Sequence, residues 1–371
     1  MRFLHISDLH IGKRIHNIDL IEDQRAVLRQ IPEMVKEYGC DAVLIAGDIY
    51  DRSQPSEKAI ALVDAFLRDL SATGKHIYMI SGNHDNQAQV SYLSGILQRS
   101  GIYTSVPVSL KPQKYTETDS YGEIDIYLLP FLRLSAINRL FPDDPSQTLE
   151  EAVSMLLKSY DIDPKRRNVL VCHQFIRGAS KGGSEEMSIG GLEEISSSLL
   201  QVFDYAALGH IHAPQRAGSE SIQYCGSLLK YHFDECDQKK GALIVDVMEK
   251  GALEVKKVPF VPLHDMRRIK GRFSDIMEHK PSEDYIEVIL EDENMLSDAR
   301  GALQTVFPNL LSLRLERKAA GAVPEAVMEP EEDSLLDHFR NFYRLQHDGR
   351  EASEKAVKAV TDILLEMEEG R

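Results

Sequence analysis

Residues 2–12 read Arg-Phe-Leu-His-Ile-Ser-Asp-Leu-His-Ile-Gly, an apolar run that stops at two potential metal ligands, Asp8 and His10. Arg2–Ser7 has the length and apolar content of a buried strand. The same unit recurs downstream. Asp41–Ala46 is a second run, followed by Gly47-Asp48-Ile49-Tyr50-Asp51-Arg52, and His76–Ser81 is a third, followed by Gly82-Asn83-His84-Asp85. Between them, Gln24–Tyr38 carries Val27, Leu28, Ile31 and Val35 at helical spacing, with Pro32 expected to distort its first turns. Ser56–Leu70 has the same periodicity. Strand–helix–strand alternation of this kind predicts an α/β sheet.

After Gly101 the pattern turns strand-rich, with Ile124–Leu129, Asn168–Cys172, Tyr205–Leu208, Ile222–Tyr224 and Ala242–Val247. Helices are expected at Leu149–Ser159 and Gly191–Leu200, and a Gly- and Ser-rich loop at Arg177–Gly191. Two prolines within Val258–Leu263 favour an extended linker. A small α/β module should follow. Its strands are Met266–Gly271, Tyr285–Leu290 and Leu310–Leu315, with helices near Asp275 and over Asp298–Phe307. Ala319–Pro330 reads as a second linker. The tail from Ser334 offers two helices parted at Asp348-Gly349, the second with Val357, Val360, Leu364 and Met367 on one face. The expected division is 1–260, 261–320 and 331–371.

The 371 residues carry 43% apolar and 27% charged side chains, which excludes wholesale disorder. The formal charge of −16 argues on its face against a nucleic-acid partner, since phosphate binding rests on Lys and Arg. The excess is uneven. Residues 1–260 hold 28 basic and 35 acidic side chains, and residues 261–371 hold 15 and 24. More than half of it therefore lies in the last third of the chain. Cys40, Cys172, Cys225 and Cys236 show no CxxC spacing and read as reduced thiols. No secretory leader pattern and no window of about 18–20 apolar residues is present, so a cytoplasmic protein with no membrane span is expected.

Five polar clusters follow expected strands: Asp8-Leu9-His10, Gly47–Arg52, Gly82–Asp85, Cys172-His173 and Gly209-His210-Ile211-His212. Any one alone is an ordinary turn. Five in series, at the strand ends where α/β sheets place their sites, supply carboxylates, an amide oxygen and several imidazoles. That mixed nitrogen and oxygen set suits a two-metal hydrolytic centre, and the lack of thiolates disfavours structural zinc. Two ions about 3.5–4 Å apart need a bridging carboxylate, for which Asp48, after Gly47, is the natural choice. The glycines before Asp48, Asn83 and His210 should let the backbone turn sharply there. Cys172 reads as an inert buried thiol and His5 as a packed residue.

In order and spacing, these motifs resemble the calcineurin-like metallophosphoesterase superfamily. The resemblance implies a four-layer α/β/β/α sandwich. It also implies one metal on Asp8, His10, Asp48 and His212, and a second on Asp48, Asn83, His173 and His210. His84 would be the acid that protonates the leaving oxygen, oriented by Asp51. Arg52 would touch the phosphate and Asp85 would stand behind the ligands. Asp51 and Asp85 also suit capping of turns, and Arg52 an ordinary surface position.

The narrower stretches 5–13, 204–212, 224–228 and 231–235 resemble the nuclease component of bacterial SbcCD complexes. That likeness implies a two-metal DNA exonuclease and endonuclease, with manganese as the favoured ion. It implies a homodimer, a small capping domain and a C-terminal helical segment that docks on an SbcC-type coiled-coil ATPase. In archaeal and eukaryotic relatives a His usually stands where this chain has Asp51. Lys13-Arg14, Lys165-Arg166-Arg167 and Lys239-Lys240, with Arg177 and Lys181, are the basic groups available for DNA, although a basic triplet is usually a solvated corner. A small-molecule phosphodiesterase or phosphatase, and a scaffold that has lost its metals, are the competing readings.

Overall fold

The computed structural model describes residues 1–16, 18–92, 94–180, 194–293 and 298–316, with Tyr343, Ser353 and Val357. Along the first part the elements are β1 (Arg2–Ile6), α1 (Ile21–Leu28), α2 (Gln30–Glu37), β2 (Ala42–Ala46), α3 (Glu57–Ser71), β3 (His76–Ile80) and β4 (Ile102–Thr104). There follow β5 (Lys114–Asp119), β6 (Gly122–Leu129), α4 (Leu149–Ser159), β7 (Arg167–His173), β8 (Tyr205–Gly209), β9 (Gln215–Ala217) and β10 (Ser219–Tyr224). The last are β11 (Gly241–Val247), β12 (Leu253–Pro259), β13 (Met266–Gly271), α5 (Phe273–Met277), β14 (Tyr285–Leu290), α6 (Ala299–Gln304) and β15 (Leu310–Leu315).

Two six-stranded sheets form, in the orders β12-β11-β1-β2-β3-β4 and β9-β10-β8-β7-β6-β5. Strands β1 to β4 run parallel in the first sheet, and β6, β7, β8 and β10 in the second. Side-chain alternation sorts their residues into layers. Phe3, Leu44, Tyr78, Ile126, Val171 and Tyr205 pack between the sheets. On the first sheet's outer face Leu4, Val43 and Ile45 meet Val27, Ile31, Leu62 and Phe66 of the helices. Leu170, Cys172 and Leu208 on the second sheet's outer face meet Leu149, Val153 and Leu156 of α4. The four-layer α/β/β/α sandwich expected from the sequence is the observed fold.

Three local expectations differ. The segment expected as one helix over 24–38 is two, joined at Arg29, and Pro32 falls in the first turn of α2, where its missing N–H costs no helical bond. The segment expected as a helix over 191–200 holds a two-residue strand at Glu194–Ile195 and a 3-10 turn at Ser197–Leu200. There the Ser196 side chain accepts from Ser198 N–H and caps the short turn, as serines in a run favour local bonds over a continued helix. The break after 258 begins inside edge strand β12, whose last residue, Pro259, needs no ladder donor.

Strands β13, β14 and β15 make a separate all-parallel sheet, with Ile276, Val288, Leu290, Leu303 and Phe307 as its own small core. Met1–Glu316 is one compact unit and Arg317–Arg371 another. In the second, Val357 N–H donates to Ser353 C=O, a bond of helical spacing. Most of the two tail helices, the linker expected at 319–330, and residues 181–191 of the expected loop lie outside the described residues.

Candidate metal centre

Five parallel strands, three from one sheet and two from the other, end at the same edge of the sandwich. β1 runs into Asp8 and His10, β2 into Asp48, β3 into Asn83 and His84, β7 ends on His173, and β8 leads to His210 and His212. The loops are laced together by main-chain bonds. Asp8 N–H donates to Gly47 C=O at 3.1 Å, His10 N–H to Asp48 C=O at 2.9 Å, and Ile11 N–H to Ile49 C=O at 2.9 Å. Asp8, His10, Asp48 and His210 adopt positive φ values of 51°, 44°, 49° and 100°. Left-handed backbone at four non-glycine residues of one site is stored strain of the kind functional sites carry.

The side chains converge. His10 Nε2 is 3.0 Å from His212 Nε2 and 3.6 Å from Asp48 Oδ2. On the other side of Asp48, His173 Nε2 lies 3.3 Å from Oδ2. Asn83 Oδ1 is 3.0 Å from His173 Nε2 and 3.1 Å from His210 Nδ1. Asp48 thus stands between two groups of donors. Among the described residues, close donor atoms group as Asp8, His10 and His212; as Asp8, Asp48 and His173; and as His10, Asp48 and His84. His173 donates from Nδ1 to Ala46 C=O at 2.8 Å, which turns its Nε2 to the site. These donors include no thiolate and suit divalent ions of intermediate hardness.

The three glycines act in two ways. Gly47 has a φ of 86° and is a true left-handed turn. Gly82 and Gly209 provide room instead: a Cβ would fall 2.1 Å from Asp48 Oδ1 at Gly82 and 1.9 Å from Ala46 C=O at Gly209. The expectation of sharp turns at all three is corrected accordingly.

Burial opposes charge throughout the site. It raises Asp8, despite His173 and His212 nearby, and depresses His10. Asp48 is held low, because His173, His10 and His84 outweigh its burial, and His173 is pushed up to about 9 by Asp48 against its own burial. Asp85 is pushed up to about 6 by burial and by the charge of Asp48. Its carboxylate nevertheless accepts from Ile49, Tyr50 and Gly82 N–H at 3.0, 2.9 and 2.9 Å. Asp85 thereby ties the Asp48 loop to the Asn83 loop.

Asp51 meets His84 through its main chain. The oxygen that meets His84 Nδ1, at 3.0 Å, is its main-chain carbonyl, while its carboxylate is taken by Lys13 at 2.8 Å. The carboxylate lies beside that lysine and turns toward the cation. Arg52 projects with 81% of its side chain exposed, 3.7 Å from Asp51. His5 is buried against Tyr205 at 2.8 Å, and burial pushes the Cys172 thiol up to about 12, as an inert position requires.

Most of the basic groups marked for DNA are engaged within the protein. Arg166 binds Asp125 at 2.7 and 2.8 Å, and Arg167, 4% exposed, binds Asp119 at 3.0 and 2.6 Å. Lys240 is buried on Glu235, and Arg177 pairs with Glu150. Each faces a carboxylate that no spacing rule pairs with it. Lys165 and Lys239 stay exposed, and Lys181 lies outside the described residues.

Sequence reasoning assigned no supporting role to three polar side chains that touch the candidate ligands. Glu235 lies 3.6 Å from His212 Nδ1, Lys240 donates to His212 C=O at 2.8 Å, and Gln24 donates to His10 C=O at 2.7 Å. Glu235 and Lys240 fall in or just after the 231–235 stretch that carries the family resemblance, and Gln24 occupies a helix face otherwise continued by Val27 and Leu28.

The calcineurin-like phosphoesterase family model matches residues 1–214, and a model described as the type 5 capsule protein repressor C-terminal domain matches 262–347. A Staphylococcus epidermidis protein, named as the D component of the nuclease SbcCD, is 28% identical over 99% of this chain and 100% of its own length. A protein of the same name from Staphylococcus saprophyticus is 29% identical over 99% of each chain. A solved dimetal phosphatase from Danio rerio aligns with 70% of this chain and 97% of its own, at 11% identity and a TM-score of 0.41. No described helix is long and apolar enough to cross a membrane.

Proposed function

Because this chain belongs to the calcineurin-like phosphoesterase family, we propose that it is a metal-dependent nuclease subunit that hydrolyses DNA phosphodiesters. The observation that carries this is the convergence of Asp8, His10, Asn83, His173, His210 and His212 on the two sides of Asp48. Likeness along the whole chain to proteins named as nuclease subunits narrows the substrate from phosphoesters to nucleic acid.

Asp8, His10, Asp48 and His212 would hold one divalent ion and Asp48, Asn83, His173 and His210 the other, with manganese favoured. Ions bound there lower the pKa of water and offset charge on the phosphoryl oxygens. The chain's own part is to fix these donors, to exclude solvent behind them, and to place His84. That residue supplies a proton to the departing sugar oxygen. Arg52, exposed at the rim, would meet the phosphate.

Residues 1–260 form the nuclease domain in this reading, 261–320 the capping domain, and 331–371 the dock for an SbcC-type ATPase. The second family model, starting at residue 262, supports a boundary near 260. Tyr92 and Ile96, 70% and 60% exposed just beyond the Asn83 loop, support a homodimer. The compartment would be the cytoplasm. The test is cleavage of blunt duplex and hairpin DNA with manganese, with and without the ATPase, beside an aryl phosphodiester. DNA cleavage that requires manganese is expected. Turnover of the aryl ester alone would favour the small-molecule reading.

A further inference from the structure

Neighbouring residues of α1 grip two different parts of the molecule. Gln24 is fully buried, and its amide bonds the loop that presents His10 as well as the Tyr231 hydroxyl, at 3.2 Å. It donates to His10 C=O at 2.7 Å and Leu9 C=O at 3.3 Å, and its oxygen accepts from Gly12 N–H at 3.0 Å. Tyr231 closes the loop from the other side, donating to Leu9 C=O at 2.6 Å. This is the loop whose backbone is left-handed at His10, so its shape depends on outside support.

Asp23, next in the chain and 3% exposed, points to the small sheet. Its Oδ1 accepts from His264 N–H at 3.2 Å and from His264 Nδ1 at 2.8 Å, and its Oδ2 accepts from Tyr285 O–H at 2.9 Å. Tyr285 opens β14, and with Met266 of β13 it packs into the same core as Val27 and Leu28 of α1. Gln30, opening α2, adds a pair of bonds to the Val261 main chain at 2.7 and 3.0 Å. Buried bonds to a charged carboxylate are among the stronger kind, and α1 is a short, packed element with little freedom to absorb a displacement.

We propose that α1 is a clasp in which Asp23 holds the small sheet and Gln24 holds the His10 loop, so that the seating of that sheet sets metal affinity at the His10 position. Gln24 and Asp23 are positioning residues, since neither touches a reacting atom. The clasp deepens the metal-centre reading above and rests on it. By linkage the effect is reciprocal: an ion at the His10 position must tighten the Asp23–His264 contact by the same factor.

The test uses the full chain and Mn2+ alone, followed by two-step calorimetric titration and by hydrogen exchange at single amides. Tyr285→Phe removes one bond at the far end of the clasp and leaves the ring in its core. It should weaken one Mn2+ site by about fivefold or more and leave the other as in the wild type. Manganese should slow exchange of the His264 amide in the wild type and not in Gln24→Met. Gln24→Glu, which keeps the acceptor for Gly12 but sets an oxygen against His10 C=O, serves if Gln24→Met does not fold, and should weaken the same site. Two unchanged Mn2+ affinities in Tyr285→Phe, or equal weakening of both sites, would overturn the clasp while leaving the metal centre standing. A wild-type chain that takes up no Mn2+ would instead remove the metal-centre reading itself.

Discussion

The imidazole of His84 donates from Nδ1 to the main-chain carbonyl of Asp51 across 3.0 Å, and the Asp51 carboxylate faces Lys13 instead. A main-chain oxygen survives substitution of its own side chain. Asp51→Asn should therefore keep His84 oriented and retain DNA cleavage within about tenfold of the wild type, the loss coming from the freed Lys13. If His84 is the proposed proton donor, His84→Gln should cost about 10²–10⁴ in single-turnover cleavage with metal content unchanged. Equal losses in the two variants would return the orienting role to the carboxylate.

The Asp48 carboxylate stands between the two donor groups, with Oδ2 3.6 Å from His10 Nε2 and 3.3 Å from His173 Nε2. Asp48→Ala should therefore deplete both ions, whereas His212→Ala should spare the one on Asn83 and His173. Elemental analysis of the purified variants reads this directly. Two ions retained in Asp48→Ala would refute the bridge.

Gly82 allows a sharper test of the same carboxylate without altering a ligand. An added methyl would fall 2.5 Å from Asp48 N and 2.1 Å from Oδ1, closer than any side chain tolerates, so the Asp48 loop must shift. Gly82→Ala should lose metal binding and cleavage together. Gly95→Ala, with nothing within 4 Å and no positive φ, is the control and should be neutral or slightly stabilising. A fully loaded Gly82→Ala protein would show that the loop has slack.

Much of this was legible in the sequence because sheet architecture imposes a simple grammar. A strand buried on both faces must be an apolar run, and its C-terminal end is where polar ligands can gather, so Asp8, Asp48, Asn83, His173 and His210 each announce themselves by following one. What stayed hidden depends on partners far apart in the chain. Nothing near Asp51 says that Lys13 will take its carboxylate. Nothing near Arg167 says that Asp119 will. Likewise Gly82 and Gly209 look like turn residues, and only the packing of Asp48 and Ala46 against them shows that space was the requirement.

Arg167 and Asp119 give a pH prediction remote from the metals. Burial alone would raise the Asp119 carboxyl, but Arg167 and the N-terminal amine hold it below its ordinary 3.8. A depressed folded-state pKa stabilises the fold above the unfolded value and loses that contribution as pH falls through the folded one. Asp119→Ala leaves the Arg167 guanidinium buried and short of its counter-ion, and should cost about 3–5 kcal/mol near neutral pH. In denaturant titrations the gap to wild type should narrow steadily below about pH 4. A constant gap would mean that packing, and not charge, fixes Arg167.

The same pairings bear on DNA binding and on the charge of −16. With Arg166, Arg167, Lys13 and Lys240 all facing carboxylates, few cations of these clusters are left for phosphates. Asp8 and Asp48 are the carboxylates buried among the candidate ligands, and two divalent ions would outweigh their charge and leave the cleft positive. The isolated chain should thus bind duplex DNA weakly without metal and more tightly with a non-cleaving His84→Gln variant in Mn2+. Each neutralised phosphate contributes about −0.9 to the slope of log K against log salt, so a slope no steeper than about −3 is expected for the isolated chain. A much steeper slope, or tight binding in chelator, would require a basic surface beyond the clusters the sequence marks.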